Sequence, residues 1–156
     1  DLESCSTDFK TFKFVIMKDL IGKWKIDEIL MFDEQASDMA WVKVADALKK
    51  PDLDEDYKRM VNAIIEFTTD NKMEMLFPIP DDLPKEELDE ARASGEVSMK
   101  DDMILAESFD WKIENGKPFY DSKAEGEVLG EKVNPWVELK ETPDGYEIMT
   151  FRIIKI

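Results

Sequence analysis

Asn115-Gly116 stands between two runs that read as strands. Upstream, Phe109, Trp111 and Ile113 interleave with Asp110, Lys112 and Glu114; downstream, residues 117–125 return. Both turn residues tolerate positive φ, the backbone geometry of a tight two-residue hairpin. Strict alternation puts every second side chain on one face, as in a half-buried antiparallel strand. The same punctuation recurs along the chain. Asp70-Asn71 divides 64–69 from 72–79, Asp101-Asp102 divides 96–100 from 103–107, and Thr142-Pro143-Asp144-Gly145 divides 136–141 from 146–156. A succession of hairpins buries its apolar faces either as a sandwich or as a closed barrel.

The two ends of this succession favour closure. Residues 20–32 form the first strand, with Trp24, Ile26, Leu30 and Phe32 on one parity and Glu28 interrupting it. In the last strand Tyr146, Ile148, Thr150, Arg152, Ile154 and Ile156 share a parity, so Arg152 is the one charge on a largely apolar face. A buried tryptophan wants a partner for its indole N–H and accepts a cation over its ring. A contact between Trp24 and Arg152 would join first strand to last, as barrel closure requires.

Helices occupy the gaps. Ser37 or Asp38 can cap a helix whose stripe is Trp41, Val44, Ala45 and Leu48; Pro51 ends it, and the acids of 52–56 open a second helix running to about Asn62. Residues 82–95 read as an exposed helix stopped by Gly95. The expected fold is mainly β: an up-and-down antiparallel barrel of about 8–10 strands, with a helical lid after the first strand and one extra surface helix. Residues 1–19 form an N-terminal extension, with 9–17 as an extra strand or plug, and 20–156 form the barrel domain.

Composition narrows the function classes. The net charge of -16 disfavours nucleic acid and anionic lipid surfaces. A chain with no histidine lacks the commonest general base and metal ligand, and a single cysteine, Cys5, permits no internal disulfide. No apolar run reaches membrane-spanning length. The spacing of Asp52, Asp54 and Asp56 suggests calcium, but Tyr57 stands where an EF-hand loop needs glycine and Ala63 where it needs its bidentate glutamate. No catalytic residue, metal ligand or cofactor is assigned. The compartment is left open, with a lean to the cytoplasm and with a trimmed leader also left open.

On Gly22-Lys23-Trp24, on Arg152 within 151–155, and on the helical pair after the first strand, the chain resembles the calycin superfamily, the lipocalins and intracellular fatty-acid-binding proteins. The resemblance implies a structural clasp of Gly22, Trp24 and Arg152, and a cavity for a small apolar molecule. Two departures stand against transferring fatty-acid chemistry: Ile154 occupies the position of the family's carboxylate-reading tyrosine, and the Thr-Asp-Tyr motif of many lipocalins is absent.

The expected function is therefore non-catalytic binding of a small hydrophobic or amphipathic ligand. Trp24, Phe32, Phe67, Phe77, Phe109, Trp111 and Ile148 are the candidate cavity wall, Arg152 is a head-group anchor or a clasp, and residues 41–57 form the gate. The alternative is a filled barrel acting as a structural or protein-interaction module through its acidic surface. Glu28 and Glu66 are either inward-facing acids or outward residues, Glu28 pointing outward by way of a bulge. The expected state is a monomer or weak homodimer that takes no nucleic acid and does not insert into membranes.

Overall fold

The structure is a computed structural model, and it describes residues 20–156. The expectation of a strand or plug at 9–17 lies outside them. Thirteen strands and three short helices follow in chain order among the described residues: β1 Gly22–Asp33, β2 Asp38–Lys43, α1 Val44–Ala47, α2 Glu55–Met60, β3 Ile64–Phe67, β4 Lys72–Phe77, α3 Lys85–Ser94, β5 Ser98–Lys100, β6 Met103–Glu114, β7 Lys117–Asp121, β8 Glu127–Val128, β9 Glu131–Lys132, β10 Trp136–Glu138, β11 Lys140–Glu141, β12 Gly145–Ile148 and β13 Phe151–Lys155. None of the helices is long and apolar enough to cross a membrane.

All pairings are antiparallel, and the main sheet runs β10-β7-β6-β4-β3-β1-β13-β12-β11. Its two edges belong to one continuous stretch. Residues Trp136–Glu138 pair with β7, Leu139 donates its N–H to the Pro118 carbonyl at 2.9 Å, and the next two residues pair with β12. The sheet thereby comes back on itself as a nearly closed meander barrel. β1 joins β13 at Trp24↔Lys155 through Ile29↔Phe151, so first and last strands meet as expected. β2 and β5 are side strands on β1 and β6.

Two irregularities set which residues face inward. Between Ile26 and Glu28 the register with β13 slips by one, which makes Asp27 the extra residue of a bulge. Trp24, Ile26 and Ile29 are buried, and Glu28 is turned outward. Ala106 is the corresponding extra residue of β6 opposite Met75 and Leu76. The interior holds one cluster of buried apolar side chains. Trp24, Phe67 and Trp111 are almost wholly buried in edge-to-face contacts, with ring centroids 6.4 Å apart for Trp24–Phe67 and 5.8 Å for Phe67–Trp111. Met73, Met75, Phe109, Tyr120, Leu139, Ile148, Phe151 and Ile153 belong to the same cluster, and no polar or charged residue is buried among the described residues.

Three expectations require correction. The helical pair begins later than Ser37. Residues 38–43 are a strand, and Trp41 lies opposite Leu30. The apolar run of Met39 to Val42 fits either period, and the unpaired end of the twelve-residue β1 supplies a ladder that decides for strand. Ser37 adopts φ 53° in the turn, and Asp38 accepts a hydrogen bond from the Met39 N–H, so neither caps a helix. What remains helical is four residues of α1 and six of α2, tied to the core by Ala47 and Val61.

The second correction falls at the C-terminus. Residues 146–156 are two strands, β12 and β13, with Ile148 opposite Phe151 across a turn at Met149, φ 55°. The inward parity passes from Ile148 to Phe151 and Ile153, and Arg152 and Ile154 face the other way. Third, 136–141 is divided between two neighbours: only 140–141 forms the hairpin with β12 around residues 142–145, and 136–138 pairs with β7.

Candidate functional site

The barrel seam places the sequence-derived candidates in two groups. Trp24, Phe67, Phe109, Trp111 and Ile148 are all buried within the packed interior. Phe77 is half-buried against that cluster, and Phe32 is 57% exposed on the part of β1 that projects past its barrel neighbours. The seven thus do not share one location: five lie in the core, one skirts it and one faces solvent.

The clasp is also rearranged. The cation over the Trp24 ring is Lys155, 5.2 Å from the centroid, and the indole Nε1–H donates to the Leu20 carbonyl at 2.8 Å. Lys155 donates in turn to the Ile21 carbonyl at 2.6 Å and passes over Gly22, whose φ of +129° suits glycine. Arg152, facing outward, gives its Nη1 to Glu28 Oε2 at 2.9 Å and lays its guanidinium 4.2 Å from the Trp41 ring. Lys43 reaches Asp27 at 2.6 Å and Glu28 at 3.7 Å, and the first of these contacts raises its pKa. The Arg152 expectation fails because the Met149 turn shifts parity by one residue, which turns Arg152 away from Trp24 and brings Lys155 to it.

Glu66 is the other carboxylate singled out in the sequence. It lies between inward-facing Ile65 and Phe67 and pairs across the ladder with Glu74. Lys100 of β5 bridges the two, 2.5 Å from Glu74 and 3.3 Å from Glu66. The Glu74 contact leads the interactions that raise the Lys100 pKa, against the opposing effect of desolvation. Two like charges side by side are held together by one ammonium, a structural arrangement on the outer face.

One concave feature was not singled out in the sequence. A groove of about 440 Å³ lies between the projecting end of β1 with its turn (Met31 to Gln35) and the segment leading into α2. Met31, Phe32, Leu53 and Tyr57 supply apolar surface, and Tyr57 is 41% exposed. Asp33, Glu34, Asp52 and Asp54 supply four carboxylates beside the single ammonium of Lys50. Asp33 accepts the Gln35 N–H at 3.0 Å and Asp54 the Asp56 N–H at 2.8 Å, which hold the turn and the start of α2. The signal for this groove was a first strand longer than its partners, followed by an acid-rich segment. Only the fold shows that the two face each other. Asp56 lies outside the groove lining, and no three Asp, Glu, His or Cys side chains are placed to hold a metal among the described residues.

A volume of this size falls within the range of small-molecule sites, and the lining joins two rings and two aliphatic side chains to a mostly charged rim. The chemistry available is recognition: apolar contact, cation–π contact and charge. No known family model, curated protein or solved structure matches the chain.

Proposed function

We propose that the protein is a non-catalytic binding module, a packed calycin-like barrel that takes an amphipathic small molecule in the groove between β1 and α2. The observation that carries this reading is the contrast between the two places a ligand could go. The interior is occupied by Trp24, Phe67 and Trp111, whereas Phe32 and Tyr57 leave ring surface exposed beside an open groove. Exposed rings next to a concavity supply contact area at small entropic cost. The calycin-like reading draws its support from the meander order, from Gly22-Lys23-Trp24 opening β1, and from a last-strand cation lying on that tryptophan.

The test is titration of an environment-sensitive apolar dye, followed by competition with amphiphiles. Phe32→Ala and Tyr57→Ala are expected to weaken dye binding several-fold, with Ile148→Val in the interior leaving it unchanged. The opposite pattern would return the site to the barrel interior. A second reading, protein interaction, is favoured by Phe32 and Met39, which face each other across β1 and β2 and are both more than half exposed. Concentration-dependent sedimentation that is abolished by Met39→Lys would favour it.

A further inference from the structure

We infer that the groove selects cationic amphiphiles, an ammonium or guanidinium head on an apolar body. The inference rests on the groove being the binding site, as proposed above, and adds which head group it takes.

The argument begins with how the chain disposes of its negative charge. Several carboxylates of the barrel wall meet cations, Asp27 and Glu28 with Lys43 and Arg152, Glu66 and Glu74 with Lys100, Asp101 with Lys23, Asp110 with Lys72, Glu138 with Lys117, whereas others such as Glu107 and Glu147 stand singly among the described residues. In the groove this neutralisation is missing. Asp33, Glu34, Asp52 and Asp54 form no ion pair among the described residues, and Lys50 reaches none of them. A concave site in which one sign of charge predominates, here four carboxylates to one ammonium, focuses its field on whatever enters.

The apolar part of the groove fits the same ligand. Phe32 and Tyr57 offer ring faces, and a ring face attracts a cation while tolerating an alkyl chain. An anionic amphiphile would have to bring its head group up to four uncompensated carboxylates. A neutral one would gain the apolar contact and nothing from the charge. Charge complementarity therefore separates three ligands of equal chain length.

Calorimetric titration with octyltrimethylammonium, octanoate and octyl glucoside, each below its micellar concentration, tests this directly. The cation is expected to bind one to one and about tenfold more tightly than the neutral compound at low ionic strength, with the advantage shrinking as salt is added. Asp33→Asn combined with Asp52→Asn should remove that advantage, so that the variant binds octyltrimethylammonium no more tightly than it binds octyl glucoside. Asp89→Asn combined with Glu90→Gln on α3 removes the same charge from a remote surface and should change nothing. Thermal melts followed by circular dichroism confirm that the variants are folded. Equal binding of all three compounds, still weakened by Tyr57→Ala, would overturn the charge inference and keep the groove. A preference for octanoate, or a cation preference that falls equally with the α3 substitutions, would also overturn it. Absence of binding by all three, or binding indifferent to Tyr57→Ala, would remove both the groove and its selectivity.

Discussion

Replacing Phe67 with alanine measures whether the barrel is filled. Phe67 is fully buried, with Trp24 and Trp111 set edge-to-face on it at 6.4 and 5.8 Å. A buried phenylalanine removes at least about 150 Å² from water, which at ~25 cal/mol per Å² comes to roughly 4 kcal/mol. That figure lies inside the range of about 3–5 kcal/mol found for emptying such a site in a close-packed core. A domain with stability of about 5–15 kcal/mol survives this loss in weakened form. Urea unfolding followed by tryptophan fluorescence should show the midpoint falling by about 2 M for a slope near 2 kcal/mol/M, with the slope unchanged. Benzene should then raise the midpoint of the variant, which has room for it, and leave the parent unaffected. A loss below about 1.5 kcal/mol, together with benzene stabilising the parent protein, would refute the close-packed interior.

Other outcomes follow from the seam and the outer face. A double-mutant cycle with Glu28→Gln and Arg152→Gln should give a coupling of about 1 kcal/mol, more than an exposed pair because Glu28 is mostly covered; chemical denaturation measures it. A Cβ at Gly145 would run into the Ile153 carbonyl of the neighbouring strand, so Gly145→Ala should destabilise by about 1–3 kcal/mol and speed hydrogen exchange along β13. Lys100→Met leaves Glu66 and Glu74 facing each other and should cost about 1 kcal/mol near neutral pH. Because the folded pKa of Lys100 is raised above its ordinary 10.5, its contribution is fully present below that value and is lost as pH rises through the folded one. The stability gap between parent and variant should therefore close in strongly alkaline urea titrations.

The hairpin order was legible because alternation and turn residues are local signals. Asp70-Asn71, Asp101-Asp102 and Asn115-Gly116 all mark turns, and Asn71, Asp101, Asp102 and Asn115 take positive φ. Met149 also takes positive φ, without glycine, asparagine or aspartate to announce it, so the turn after β12 was invisible and the faces of the last strand were assigned wrongly. Bulges hide in the same way. Glu28 reads as an error in an apolar stripe until one extra residue, Asp27, is known to precede it. The meeting of first and last strands was readable because each carries a feature the other can use, although the cation on Trp24 proved to be Lys155. The groove required three dimensions: its two sides are separated in sequence by β2 and α1, and no local period links Phe32 to Tyr57.

The union of β1 with β13 also sets a timetable for biosynthesis. Chains emerge N-terminus first at about 5–20 residues per second, so the edge of β1 waits roughly 6–25 s for its last partner. During that interval Trp24, Ile26 and Ile29 belong to a strand with one side unpaired, and such edges recruit other nascent chains. Contacts between residues so far apart in sequence also form slowly even in the finished chain. A net charge of -16 adds a physical counterweight at this stage, because like-charged copies repel one another and repulsion opposes pairing between unfinished edges.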